Sequence, residues 1–357
     1  MKLRTFAAAM AVSVAALGGS VATASAGTLN GAGCTFCEPI WKQLGADLKS
    51  KGLTLNYAAV GSGSGVTQFI NGTVDFAGSD PPLTDAQLNG AEKAGPVVHI
   101  PIAFGAITVS YNVPGVKAGL RLDGPTVANI YLGKITKWND AAIKRNNKNA
   151  KLPDLNIRVC RRSDSSGTTA GFTTFLGKYS SQWVSTAGAP GNTAKWPVGT
   201  GAQGNAGVAG CVKQATGGIG YVEQAFAIQN KFTYATVKNR RKQWIYPRSQ
   251  AVSIAGSKIK TGDSLRFTTI DNPSKGAYPI VSQTFMINHR NLCAQKGVNA
   301  DKASDILGLI NYIFSSNGSK TLKRLLYAPI PADLKKKVTK QVKTFNCNGS
   351  KVAATRF

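Results

Sequence analysis

Cys160-Arg161-Arg162-Ser163-Asp164-Ser165-Ser166-Gly167-Thr168-Thr169 is the stretch on which the fold turns. Asn156-Ile157-Arg158-Val159 before it is apolar and strand-like. Ala170-Gly171-Phe172-Thr173-Thr174-Phe175-Leu176 after it is helix-like. The reading is therefore strand, hydroxyl-rich turn, helix start. That form suits a tetrahedral oxyanion. Arg162 offers a planar fork of donors, and Asp164 is placed to hold it. Ser166 and Thr168 add hydroxyls, and Gly167 lets the backbone come close. The N–H groups of a helix start point at the same spot. An ordinary capping loop with surface arginines has the same letters, so the stretch needs companions.

Two lie upstream. Gly31-Ala32-Gly33-Cys34-Thr35-Phe36 ends a short strand and leads into a helix opening between Cys34 and Pro39. Proline is tolerated in a first turn, and the helix face continues through Ile40, Trp41, Leu44 and Leu48. Such a start offers the N–H groups of Thr35 and Phe36. Gly61-Ser62-Gly63-Ser64-Gly65 follows a strand-like run and precedes the helical Val66-Thr67-Gln68-Phe69-Ile70. It is not a Walker loop, since no Gly-Lys-Ser/Thr ends it, nor a nucleophile elbow, since Gly63 holds the middle place. Val74-Asp75-Phe76-Ala77-Gly78-Ser79-Asp80-Pro81-Pro82-Leu83 ends a short strand at the carboxylate Asp80. Asp80 or Thr84 is a candidate N-cap for a helix over 84–94.

Residues 97–113 are apolar and β-rich, long enough to carry the chain between domains. Residues 280–287 form a second such run, which would bring it back. Residues 303–326 read as two helices broken at Asn317-Gly318. Leu334, Val338, Val342 and Phe345 share a helical face, with Lys335, Lys336, Lys337, Lys340 and Lys343 on the solvated ones. Repeated strand–helix alternation predicts mostly parallel, helix-covered sheets.

The N-terminus carries Lys2 and Arg4, an apolar run over 6–17, then Ala24-Ser25-Ala26. This is the pattern of a secretory signal peptide, 1–26. The expected mature protein is soluble and periplasmic or otherwise extracytoplasmic. The chain holds 43 Lys+Arg against 16 Asp+Glu, a formal net charge of +27. Such a field draws anions, whether small ones, acidic polymers or nucleic acid. Few carboxylates also mean few native ion pairs to lose on acidification, which suits an acidic medium. The six cysteines suit an oxidising compartment. A phosphohydrolase or nuclease would need metal ligands or an activated nucleophile. The 2 histidines, His99 and His289, sit in apolar surroundings, and no metal-ligand spacing appears.

These stretches, in this order, resemble the phosphate-binding-protein family of bacterial phosphate ABC importers. Further matches are Ile130-Tyr131-Leu132-Gly133-Lys134-Ile135-Thr136-Lys137-Trp138, residues 217–223, and Tyr327-Ala328-Pro329-Ile330-Pro331. The resemblance implies a periplasmic-binding-protein type II fold, two α/β lobes joined by a hinge with the ligand in the cleft. Lobe I is expected over 27–108 plus 280–357, lobe II over 109–279. It implies phosphate contacts from Thr35, Phe36, Ser62, Asp80, Arg162, Ser166, Gly167 and Thr168, with Asp164 bracing Arg162. It also implies delivery of inorganic phosphate to membrane permease subunits by a monomer that is not an enzyme and needs no cofactor or metal. A secreted basic adhesin or polyanion-binding protein is the alternative, with a secreted phosphohydrolase behind it; nucleic acid is not an expected partner. Two features depart from the family: Cys34 and Cys37 flank the first loop, and the charge is unusually basic.

Cys160 and Cys211 are the two cysteines of the expected second lobe, so they pair or stay free if bridges remain within lobes. Cys293 with Cys347 then leaves Cys34 with Cys37. Cys34-Thr35-Phe36-Cys37 also has the spacing of a redox pair, without other features of a thioredoxin-like domain.

Overall fold

The computed structural model describes residues 27–354, so the expected signal peptide falls outside the described residues. β1 (Gly27–Gly33) lies in parallel between β2 (Leu53–Ala58) and β3 (Phe76–Ser79). Helices α1 (Glu38–Lys49), α2 (Ser62–Ile70) and α3 (Asp85–Ala91) alternate with them. α1 has proline in its first turn and buries Ile40, Trp41, Leu44 and Leu48, the face legible in the sequence. Truncating a buried aromatic such as Trp41 to alanine costs about 3–5 kcal/mol.

α2 begins at Ser62, inside the glycine–serine run, not after it. Glycine disfavours a helix by roughly 1 kcal/mol per residue. Packing demands it here. A Cβ on Gly65 would lie 2.2 Å from the Gly33 Cα, and one on Gly63 1.9 Å from Ser165 Oγ. Thr84 caps α3 in a reciprocal box with Gln87, which leaves Asp80 free of any capping duty.

β4 (Val97–Asn112) is almost wholly buried and runs through the middle of the molecule. Then come β5 (Arg121–Leu122), α4 (Gly124–Tyr131), α5 (Ala141–Asn146), β6 (Arg158–Arg162), α6 (Gly167–Tyr179) and α7 (Ser181–Ala187). β7 (Thr200–Ala202), α8 (Gly204–Gln214), β8 (Gly218–Glu223) and α9 (Gln224–Gln229) follow. A connecting region holds β9 (Thr233–Tyr234), β10 (Thr236–Lys238), β11 (Trp244–Ile245) and α10 (Ser249–Ala255) before the chain returns in β12 (Val281–His289). α11 (Ala300–Ile313), α12 (Ser316–Arg324), β13 (Ala328–Pro329) and α13 (Ala332–Val342) complete the main elements.

The main strand order is β2-β1-β3-β12-β4-β8-β6-β7. Two α/β lobes share this curled sheet. Residues 97–106 of β4 pair with β12 and residues 107–112 with β8, both antiparallel. At that seam the Ile107 N–H donates to the Ile280 carbonyl at 2.8 Å. The sheet is parallel only toward its ends, β2-β1-β3 and β8-β6-β7. This corrects the mostly parallel expectation: strand–helix alternation reports local crossovers, not the long return of β12.

The second correction concerns 303–326. The break falls at Phe314 and Ser315, because Ser315 caps α12 and accepts from the Gly318 N–H at 3.1 Å. Asn317 and Gly318 are first-turn residues, not a breaker. Three disulfides form: Cys34–Cys37, Cys160–Cys211 and Cys293–Cys347, with Cα–Cα distances of 5.4, 6.0 and 4.9 Å.

Candidate functional site

The parallel strands aim their carboxyl ends at one enclosed region, where such sheets bind ligands. From the second lobe comes Arg162, the last residue of β6, 2% exposed. Its Nε donates to Asp164 Oδ1 at 2.6 Å, and Nη2 donates to Asp164 Oδ2. Its backbone N–H donates to the Tyr221 hydroxyl at 3.1 Å. Tyr221 is itself fixed: its ring stacks on Phe172 with centroids 4.3 Å apart, and its hydroxyl meets Thr169 Oγ1 at 2.7 Å. An aromatic core thus sets the arginine's backbone, and a carboxylate sets its fork. Only Nη1 turns elsewhere, donating to Thr168 Oγ1 at 3.3 Å. Burial pushes the Asp164 carboxyl up, but the bonds and charge of Arg162 and the Gly204 N–H hold it below the usual range.

Ser166 caps α6 by accepting from the Thr169 N–H at 3.1 Å. That uses a lone pair and leaves the hydroxyl proton to donate elsewhere. The first-turn N–H groups of Gly167 and Thr168 have no intrahelical acceptor. Gly167 lies against the other lobe. A Cβ there would sit 2.3 Å from Ser62 Oγ and 2.4 Å from Asp80 Oδ2, so glycine is required by close approach.

From the first lobe come Thr35, Ser62 and Asp80, all buried. Ser62 Oγ accepts from the Asp80 N–H at 3.3 Å and reaches Asp80 Oδ2 at 3.5 Å, a loose hydrogen bond. Asp80 Oδ1 is buried with no hydrogen-bond partner among the described residues. Burial pushes this carboxyl up to about 7, although Thr284, Arg162 and Ser62 pull it back. Phe36 is buried, and its carbonyl accepts from the Tyr327 hydroxyl at 2.6 Å, which pins the first loop to the C-terminal region.

The sequence-predicted residues therefore converge, Phe36 only as the chain neighbour of Thr35. Ser62, Asp80 and Gly167 are in mutual contact; Arg162, Asp164 and Thr168 are hydrogen-bonded; Ser166 adjoins them on α6. Thr35 joins through a residue the sequence reading passed over. Asn205, at the start of α8, donates from Nδ2 to Thr35 Oγ1 at 2.8 Å and to Thr168 Oγ1 at 3.1 Å. The signal existed: Gly199 to Gly210 is a fourth strand–turn–helix unit, with Gly204 at φ +67°. Tyr221 and Thr284 left no such local mark.

The donor set is polar and convergent, with one acceptor. It offers no metal cage. Cys34, Cys37 and Asp80 lie within 4.8 Å of one another, but the two sulfurs are joined in a disulfide. The histidines sit in the packing. His99 Nε2 accepts from the Leu83 N–H at 3.1 Å, and burial pushes its imidazole down to about 4. His289 stacks on Phe69 with centroids 4.8 Å apart.

The chain is similar to known proteins in sequence and fold. A family model described as a PBP superfamily domain matches residues 19–317. The phosphate-binding protein PstS of Xylella fastidiosa is 37% identical over 314 residues, covering 87% of this chain and 83% of that protein. PstS of Haemophilus influenzae is 36% identical over 330 residues, covering 91% and 96%. Among solved structures, a periplasmic phosphate-binding protein (PfluDING) bound with phosphate has a TM-score of 0.70 at 21% identity. It covers 88% of this chain and 93% of that one.

Proposed function

The chain belongs to the PBP superfamily and, within it, to the family of PstS phosphate-binding proteins, and from that premise we propose how it works. It binds inorganic phosphate outside the cytoplasm for import through a membrane ABC permease. Residues 27–108 with 280–357 form one jaw, and 109–279 the other. The ligand contacts are Thr35, Phe36 through its N–H, Ser62, Asp80, Arg162, Ser166, Gly167 and Thr168. No covalent step is involved.

One observation supports the reading: buried donors gather around a buried acceptor, Asp80 Oδ1, that has no hydrogen-bond partner among the described residues. Monobasic and dibasic phosphate present acceptor oxygens and at least one O–H. An ionised Asp80 accepts that O–H. Fully ionised sulfate has no proton to give and leaves a buried carboxylate unpaired beside an anion. Such a loss is costly, so one residue discriminates strongly. The Arg162 charge and the hydroxyls supply the grip.

Phosphate transport needs closure, and closure follows from the ligand's higher affinity for the closed form. The β4 passage near Phe104 to Asn112 and the return over 279–285 are the hinge. The closed protein docks on the permease and releases its cargo there.

Calorimetric titration of the full chain with phosphate and with sulfate tests the reading. Saturable phosphate binding with sulfate at least about a hundredfold weaker is expected, a difference of ~2.7 kcal/mol. Equal affinity for both anions, or turnover of a chromogenic phosphate ester, would overturn it.

A further inference from the structure

Asn205 touches two of the proposed ligand hydroxyls and is 0% exposed. Its amide orientation is fixed by chemistry. The Glu223 backbone N–H, which can only donate, lies 2.8 Å from Oδ1. Oδ1 must therefore face Glu223, and Nδ2 must face the hydroxyls. Nδ2 has two protons and donates to Thr35 Oγ1 and Thr168 Oγ1.

A hydroxyl has two lone pairs and one proton. Thr35 Oγ1 also accepts from the Asn205 backbone N–H at 3.1 Å, so both lone pairs are occupied. Thr168 Oγ1 accepts from Asn205 and from Arg162 Nη1 at 3.3 Å, and neither donor can act as an acceptor. Each hydroxyl is left with one proton, and neither proton has an acceptor among the described residues. Both are obliged to donate into the cleft.

We propose that Asn205 is a positioning residue that fixes the hydroxyls of Thr35 and Thr168 as donors to the anion. Thr35 follows β1 in one lobe, and Asn205 opens α8 in the other. Thr35 therefore acquires this polarity only when the lobes are closed. The device favours an anion with acceptor oxygens at both positions and disfavours one presenting an O–H there. It complements Asp80, the one place where an O–H is welcome. The inference rests on the phosphate reading above.

The test compares Asn205→Ala with Asn205→Asp in the full chain, by phosphate titration calorimetry at fixed pH. Aspartate fills the same space but accepts from the two hydroxyls and turns their protons away from the ligand. Asn205→Ala should weaken phosphate binding about tenfold or more. Asn205→Asp should be at least roughly tenfold weaker again, by the same reasoning. Charge repulsion is separated by repeating both in a Thr35→Val/Thr168→Val background, where the extra loss with aspartate should shrink at least about threefold. Melting of each ligand-free variant is read in parallel, and Asn205→Ser replaces alanine as the reference if alanine does not fold. Aspartate binding as tightly as alanine, or an extra loss equal in both backgrounds, would overturn the inference alone. A wild-type chain that does not bind phosphate would overturn the reading of the site together with it.

Discussion

The two walls of the cleft are built on opposite plans. The wall carrying Arg162 is complete within its own lobe. Asp164 holds the fork, Tyr221 holds the backbone, and Ser166 caps the helix that supplies Gly167 and Thr168. The wall carrying Thr35, Ser62 and Asp80 is incomplete by itself. Asp80 Oδ1 has no partner among the described residues, and the partner of Thr35 comes from across the cleft. In the binding mode proposed above, one wall supplies a rigid grip and the other gains its chemistry on closure. Affinity and discrimination are thereby assigned to different residues and can be broken separately.

The strongest way to break the comparison is at the grip. Arg162→Ala should weaken phosphate binding about a thousandfold, equivalent to ~4 kcal/mol, because it removes the guanidinium donor and leaves Asp164 without its counter-charge. Near-wild-type affinity by calorimetry would sink the assignment.

Closure is next. Gly167→Ala places a methyl on Ser62 and Asp80, so the lobes should stop short of full closure. An affinity loss of about a hundredfold, ~2.7 kcal/mol, is expected, with little change in the melting of the ligand-free protein. Unchanged affinity would show that the walls do not need this contact.

Asp164→Ala tests the bracing. The fork of Arg162 then has to be ordered by the ligand itself, and affinity should fall roughly tenfold, in line with one charged hydrogen bond. A loss as large as that of Arg162→Ala would mean that Asp164 does more than brace.

The remaining effect is on stability, not on binding. Glu223 ends β8 fully buried, with no hydrogen-bond partner for Oε1 among the described residues, and burial pushes it up to about 8. Asp80 is pushed up to about 7 for the same reason. Between the ordinary carboxylate range and these values, the folded protein holds protons that the unfolded chain has lost. Stability should therefore rise as pH falls from about 8 to about 6.5, on the order of 2 kcal/mol for the two groups. Below about 6.5 the gain should level off, because His99 and His289 are held below their ordinary value of 6.5 and the unfolded chain then binds more protons. Glu223→Gln should flatten the rise in a melting series without phosphate. A wild-type melting temperature that falls over 8 to 6.5 would contradict the burial argument.

The grip was legible in the sequence because it is local. Arg162, Asp164, Ser166 and Thr168 lie within one strand, turn and helix start, where Asp164 holds the Arg162 fork and Ser166 caps α6. The face of α1 was legible for the same reason, since a helix repeats its pattern within a few residues; that of α13 was legible only through Leu334 and Val338, because the helix ends at Val342 and leaves Phe345 beyond it. What was hidden is long-range. Asn205 meets Thr35 across 170 residues, and β12 returns from far downstream to make the sheet's centre antiparallel. The glycine–serine run looked like a loop because intrinsic propensity disfavours a helix there, and packing against Gly33 and Ser165 overrides it. Asn317 and Gly318 looked like a break because a turn dipeptide is silent about a cap two residues before it.

The division between grip and check is tested most directly by Asp80→Asn, titrated calorimetrically with phosphate and sulfate at one pH. The expected result is a collapse of phosphate-over-sulfate selectivity by about tenfold or more, with sulfate affinity rising, since no buried carboxylate is left unpaired. Selectivity equal to that of the wild type would contradict it, and Asp80 would then be a buried acid with no part in choosing the anion.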